Sequence, residues 1–199
     1  MSEPSRCGWA GPQPIYIAYH DEEWGVPSTD DRLLLEKLIL EGFQAGLSWI
    51  TILNKRARFR ELFDNFDAQK MARYDEQKIE SLLADAGIIR HRGKIEAAIS
   101  NAQIYLKLRE RTSLAAFLWD FVDGAPVQNE FTRLEEIPAQ TTVSQAMATA
   151  LKARGFRFCG PTTVYAFMQS VGMVNDHLSG CHRYEICAEL ARTFKAPTE

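Results

Sequence analysis

The chain has 199 residues, 46% of them hydrophobic and 25% charged, with a formal net charge of −3. This is the composition of a globular protein without a strongly basic or low-complexity tract. The opening segment "MSEPSRCGWAGPQP" has no apolar run of the kind that directs secretion, and no later stretch is long enough to span a bilayer. A cytoplasmic location without membrane contact is therefore expected, where Cys7, Cys159, Cys181 and Cys187 are read as ligands or free thiols before disulfides.

Most of the chain reads as helix. Trp9, Tyr16, Tyr19 and Trp24 crowd the N-terminal segment. Asp30 is a suitable cap for the run 31–53, in which Leu34, Leu38, Leu47 and Ile50 recur at helical spacing, and Gly42 and Gly46 bend or divide it. Asp67 and Asp75 cap helices in 67–87, which Gly87 stops; Ile95, Ile99, Ala102 and Leu106 share one face of the next. A short apolar helix follows and ends at Gly124. Residues 125–142, with Pro126 and Pro138 and no clean period, read as a surface loop. Ser144 caps a helix that Gly155 ends, Pro161 opens another, and a last helix covers about 183–194. No segment alternates long enough to argue for a sheet, so the expected class is all-α, with residues 1–199 forming one domain.

Three features carry chemistry. Cys7 and His20 lie near one end of the chain, and His177 and Cys181, four apart, near the other. Together they could close a tetrahedral two-Cys, two-His metal site with no open position for water. On spacing alone Cys7 could equally be a tail thiol and His177 a solvated loop residue. The second feature is "LKARGFRFCGPTT" (151–163), a helix, a glycine-bounded turn and a helix start. Lys152, Arg154 and Arg157 would supply charge there, and Gly160 and Thr162 backbone N–H groups, to a phosphate; a plain αα-hairpin is the alternative. Two other basic clusters, "KRARFR" (55–60) and "RHRGK" (90–94), join one patch only if the fold assembles them. The third feature is Glu41, set in an apolar run and eight residues before Trp49. One continuous helical face could carry both, and rings beside a carboxylate suit a flat cationic group.

The strings "RCGWA…PIYIAYHDEEWGVP", "LEGFQAGLSWITIL", "DAGIIRHRGKIEAAI" and "VNDHLSGC" together resemble the DNA-3-methyladenine glycosylase I family of base-excision repair, in order and over roughly residues 6–181. The resemblance implies a helix–hairpin–helix DNA glycosylase fold of two helical lobes around a base-binding cleft. It also implies one structural Zn2+ held by Cys7, His20, His177 and Cys181, tying the termini. Base-pocket roles fall on Tyr19, Glu41 and Trp49, with Glu41 as the catalytic group and Trp9 and Trp24 as walls; Gln44 to Leu47 would probe the gap in the duplex. The activity implied is hydrolytic, monofunctional release of 3-methyladenine, with 3-methylguanine a further candidate, from double-stranded alkylated DNA by a monomer. Free 3-methyladenine is the product. Asp176 has no assigned role beyond orienting His177. A non-catalytic zinc-stapled DNA-binding module would not need Glu41 and Trp49, and a zinc hydrolase would need an open metal position.

Overall fold

The structure, a computed structural model, describes residues 4–197; the ends of the expected 1–199 domain lie outside the described residues. Helix α1 (Pro14–Glu22) opens on a proline at its first turn and follows a 3-10 turn at Gly8–Ala10. Helix α2 (Asp31–Gln44) starts where Asp30 accepts hydrogen bonds from the Arg32 and Leu33 N–H groups, satisfying two of the donors that a helix start leaves free. Every residue from Leu34 to Phe43 is buried, so α2 is the central helix of the molecule. It does not run on. Gly46, at φ +84°, turns the chain between Gln44 and the start of α3 (Trp49–Leu62), a backbone angle that only glycine adopts freely. Glu41 and Trp49 therefore sit on two helices rather than on one face.

Helices α4 (Ala68–Met71) and α5 (Glu76–Ala84) begin at their aspartate caps, Asp67 and Asp75, and α6 (Arg92–Leu108) is capped by His91. Helix α7 (Leu114–Trp119) is wholly buried; its first N–H groups donate to Asp31 of α2, fixing the two helices end to end. Helix α8 (Thr142–Ala153) starts one turn earlier than the sequence suggests. Thr141 is its cap, and Ser144 reaches back to the Thr141 N–H in a capping box. Helices α9 (Pro161–Ser170) and α10 (Tyr184–Thr193) complete the set.

The segment 125–142 lies at the surface as expected, but it is not without regular structure. Val127–Gln128 (β1) pairs in parallel with Val174–Asn175 (β2), the small exception to an otherwise helical fold. Asn175, buried, donates to the Gln128 side chain and to the Tyr184 carbonyl, and the Ser179 N–H donates to the Phe131 carbonyl. These bonds lock the approach to His177 in place. Gly172, at φ +70°, lets this turn pass against Val26 and Pro27, where an added Cβ would stand 2.3 Å from the Pro27 nitrogen. A large hydrophobic cluster joins residues of α2 to α9; a smaller one holds Cys7, Tyr19, Trp24, Leu53 and Cys181, and Trp49 touches both. No described helix is long and apolar enough to cross a membrane.

Candidate functional site

The termini meet at four side chains. Cys7, His20, His177 and Cys181 are all buried, and their ligand atoms lie within 4.8 Å of one another. Cys7 Sγ is 3.7 Å and Cys181 Sγ 3.6 Å from His177 Nδ1, and Cys181 Sγ is 3.5 Å from His20 Nε2. Two sulfurs at about 2.3 Å and two nitrogens at about 2.0 Å from a tetrahedral centre would place S and N about 3.5 Å apart, so the four could hold a metal ion. The ring nitrogens not facing the cluster are engaged. His20 Nδ1 lies 2.7 Å from Asp21, which a bidentate Arg6 also grips, and His177 Nε2 lies 3.0 Å from the Trp24 carbonyl. Each bond selects the tautomer that leaves the inner nitrogen unprotonated, and on His20 that nitrogen also accepts from the Cys7 N–H at 3.3 Å. Backbone N–H groups of Leu178 and Arg183 donate to the two sulfurs. Between the thiols, hydrogen bonding pushes Cys7 up and Cys181 down, one proton serving two sulfurs.

Asp176 does not bond the His177 ring. It is fully buried and accepts from Asn129 at 2.7 Å, from the Tyr165 hydroxyl at 2.7 Å and from Gln169 at 2.8 Å. It therefore organises α9 and the 125–142 segment, not the ligand ring.

Beside the cluster opens a cavity of about 430 Å³. Trp9, Tyr19, Trp24, Glu41, Gln44, Trp49 and Thr162, all named from sequence, line it. Tyr16, Tyr165, Gln169 and the 134–139 segment line it too, unannounced by any pattern except the aromatic crowding around Tyr16. Their signal was weak because Tyr165 sits among apolar helix residues and 134–139 has no period. The rings interlock: Trp9 stands 4.9 Å from Trp24 and Tyr19 5.4 Å from Trp49, centroid to centroid. The Trp49 indole N–H is buried without a hydrogen-bond partner among the described residues.

Glu41 is 3% exposed, and no described residue hydrogen-bonds its carboxylate. Burial raises it above the usual carboxylate range, and Lys37, one turn earlier on α2, draws it partly back. Burial and the Glu41 charge likewise push Tyr16 and Tyr19 up. A lone buried carboxylate among rings is costly without a cation in front of it.

Leu47 is exposed at the tip of the turn after α2, and the Gln44 side chain donates to its carbonyl. Between α8 and α9, Gly155 (φ +98°) and Phe158 (φ +57°) shape a turn in which Arg157 is clamped through its backbone by Asn101. Lys152, Arg154, Arg157 and Gly160 are exposed on this side, with Arg154 stacked 4.1 Å over the Phe117 ring. Much of the charge of the other two basic clusters is engaged within the fold. Arg56 is buried between Glu23 and Glu36, and Arg58 pairs with Glu61 and Asp85. Arg92 pairs with Glu76, and Lys94 donates to the last carbonyls of α2.

The sequence profile of the methyladenine glycosylase family matches residues 9–184. The chain is 52% identical over 180 residues to DNA-3-methyladenine glycosylase 1 of Escherichia coli (strain K12), covering 90% of this chain and 96% of that one. It superposes on a crystal structure of 3-methyladenine DNA glycosylase I at a TM-score of 0.88 and 52% identity, covering 89% of this chain and 98% of that one. A variant of a 3-methyladenine DNA glycosylase I, solved in complex with 3-methyladenine, superposes at 0.87 with 34% identity, over 90% and 97% of the two chains. The helical fold is thus that of a DNA glycosylase. The chain belongs to the DNA-3-methyladenine glycosylase I family.

Proposed function

We propose that this enzyme extrudes 3-methyladenine from double-stranded alkylated DNA and hydrolyses its N-glycosyl bond. Water adds to the sugar carbon, the base leaves as free 3-methyladenine, and an abasic strand remains uncut. The observation that carries this reading is Glu41, a buried carboxylate with no hydrogen-bond donor among the described residues, facing a ring-walled cavity of about 430 Å³. A base methylated at N3 is cationic while attached to its sugar and already departs readily, so little protonation is needed. The site must hold the extruded base and favour the transition state over the stacked duplex. Trp49 stacks on the base, Tyr19 and Glu41 address its edge, and Trp9 and Trp24 close the walls. Neutral adenine gains little from such a pocket. Among the described residues no lysine lines the cavity as a Schiff-base nucleophile, which fits an enzyme without strand cleavage. The relative solved with bound 3-methyladenine supports the same substrate here.

The four-ligand cluster suits one structural Zn2+, since two thiolates and two imidazoles close a tetrahedron and leave no place for an activated water. It would fasten the N-terminal pocket wall to the C-terminal segment. The turn between α8 and α9 reads as the hairpin of a helix–hairpin–helix element. The Thr162 and Thr163 N–H groups start α9 with no side-chain cap, and Lys152, Arg154 and Arg157 are exposed in the stretch that precedes it, features suited to a backbone phosphate. Gln44 at the cavity and the exposed Leu47, whose carbonyl Gln44 holds, suit the role of filling the gap in the duplex. On this reading the chain is one glycosylase domain of two helical lobes, acts as a monomer, and works in the cytoplasm with reduced thiols. The deciding experiment is incubation with methylated duplex DNA and chromatography of the released bases. Release of 3-methyladenine, with or without 3-methylguanine, supports the reading; release of neither refutes it.

A further inference from the structure

Behind the cavity lies a charge that the reading above does not use. Lys37 is fully buried and does not line the cavity, yet its Nζ stands 4.6 Å from the centroid of the Tyr19 ring and 5.9 Å from that of Trp49. Two walls of the base site therefore rest against one ammonium. That ammonium is ion-paired to Glu23, and Glu23 also accepts from Arg56 at 2.6 Å. Arg56 donates in turn to Glu36 at 2.6 Å, and Glu36 meets Arg60 nearer the surface. With Glu41 at its inner end the row alternates in sign: Glu41, Lys37, Glu23, Arg56, Glu36, Arg60. Among the described residues no ion pair joins Lys37 to Glu41, although they lie one turn apart on α2.

We propose that Lys37 is a positioning residue of the base site, an ammonium tethered by Glu23 behind the Tyr19 and Trp49 rings that keeps the Glu41 carboxylate charged while leaving its oxygens free for a cationic base. The inference rests on the reading of Glu41 as the base-binding acid. Its logic is electrostatic. A lysine bonded directly to Glu41 would neutralise it and occupy its acceptors; an apolar residue in its place would leave the buried carboxylate to take up a proton. A tethered lysine does neither. The tether also holds the cation on the far side of the rings, which sets their position by cation–π contact. The titratable and charged groups around Glu41 agree with this assignment. Tyr16 and Tyr19 from α1 are driven up by burial and by Glu41, and Tyr165 from α9 is committed to Asp176. Glu23 and Arg56 stand beyond Lys37 and largely offset each other. Lys37 is left as the group that draws Glu41 down against its burial; Lys37 is itself lowered by burial to about 8, with Glu23 acting to raise it.

The test is the pH profile of single-turnover 3-methyladenine excision for wild type, Lys37→Met, Lys37→Arg, Glu23→Gln and Glu41→Gln, with metal content measured at each pH. Glu41 must be ionised, so excision falls as pH drops through its titration. Lys37→Met should move that acid limb upward by about one to two pH units, the scale of a unit charge removed at one-turn spacing in a partly screened interior. Lys37→Arg should restore the wild-type limb. Glu23→Gln, which unties the ammonium, should move the limb the opposite way and serves should Lys37→Met fail to fold. A folded, metal-replete Lys37→Met with the wild-type limb overturns the proposal, as does a Glu23→Gln limb that moves upward. A Glu41→Gln enzyme that keeps the wild-type rate and profile overturns instead the reading of the base site itself.

Discussion

Replacing Glu41 by Gln tests the base site with the least disturbance of shape. The side chain is 3% exposed and carries no hydrogen bond to a described residue, so the substitution removes a charge without breaking an internal bond. A carboxylate facing a cationic base at about 4 Å interacts by about 4 kcal/mol at an effective dielectric of about 20. Part of that is lost, because the carboxylate stands above its usual range and Lys37 already offsets some of its charge, and Gln keeps an acceptor for the base edge. The net loss works out to about 2–3 kcal/mol, or about 30- to 150-fold in the rate of excision. The measurement is single-turnover release of 3-methyladenine from alkylated duplex at mildly alkaline pH, where the wild-type carboxylate is charged, alongside titration with free 3-methyladenine. Metal content and affinity for undamaged duplex should stay at wild-type values, and thermal unfolding should not fall, since the substitution removes a carboxylate that burial disfavours. A change below threefold in both assays would mean that the cationic base is not held by this carboxylate, and the pocket would have to be sought elsewhere.

Cys181→Ala should lose about one zinc per chain and unfold more easily, by on the order of 3–5 kcal/mol, whereas Cys159→Ser and Cys187→Ser, outside the cluster, should keep the metal. Elemental analysis with denaturant titration decides it, and a metal-free variant of unchanged stability would contradict the closed site. Arg157→Ala should weaken binding to any duplex and reduce its salt dependence by about one unit of slope, with Arg154→Ala similar but also losing its packing on Phe117. An unchanged slope in both would remove the α8–α9 turn from the DNA interface. Asp176→Ala should lower stability by about 2 kcal/mol or more, because it strands the buried Tyr165 hydroxyl and the half-buried amides of Asn129 and Gln169. A loss below about 1 kcal/mol in denaturant unfolding would show that those donors find other partners.

The helices were legible because their signals are local. Asp30, Asp67 and Asp75 cap where the residue type and the following apolar period said they would, since a side chain that accepts from the next two or three N–H groups needs nothing from the rest of the chain. Even here the neighbourhood decided details: Ser144 proved to be the returning partner of the Thr141 cap, and Gly46 divided the run that carries Glu41 and Trp49. The residue types that a base pocket and a metal need were also visible, and the resemblance named them by position. Sequence could not bring Cys7 within reach of His177, 170 residues away, because no periodicity encodes a contact between chain ends. Nor could it tell a free charge from a spent one. Arg56, Arg58, Arg92 and Lys94 stood in clusters that could join a basic patch only if the fold assembled them, and each is instead engaged by acids or carbonyls within the fold. Lys37 lies one turn before Glu41 in plain view, but its neighbours in sequence do not say that it is buried. Whether an ionisable side chain meets water, a partner or a cavity depends on what the tertiary fold packs against it, and that packing determined here which acid faces the cleft and which cation stands behind it.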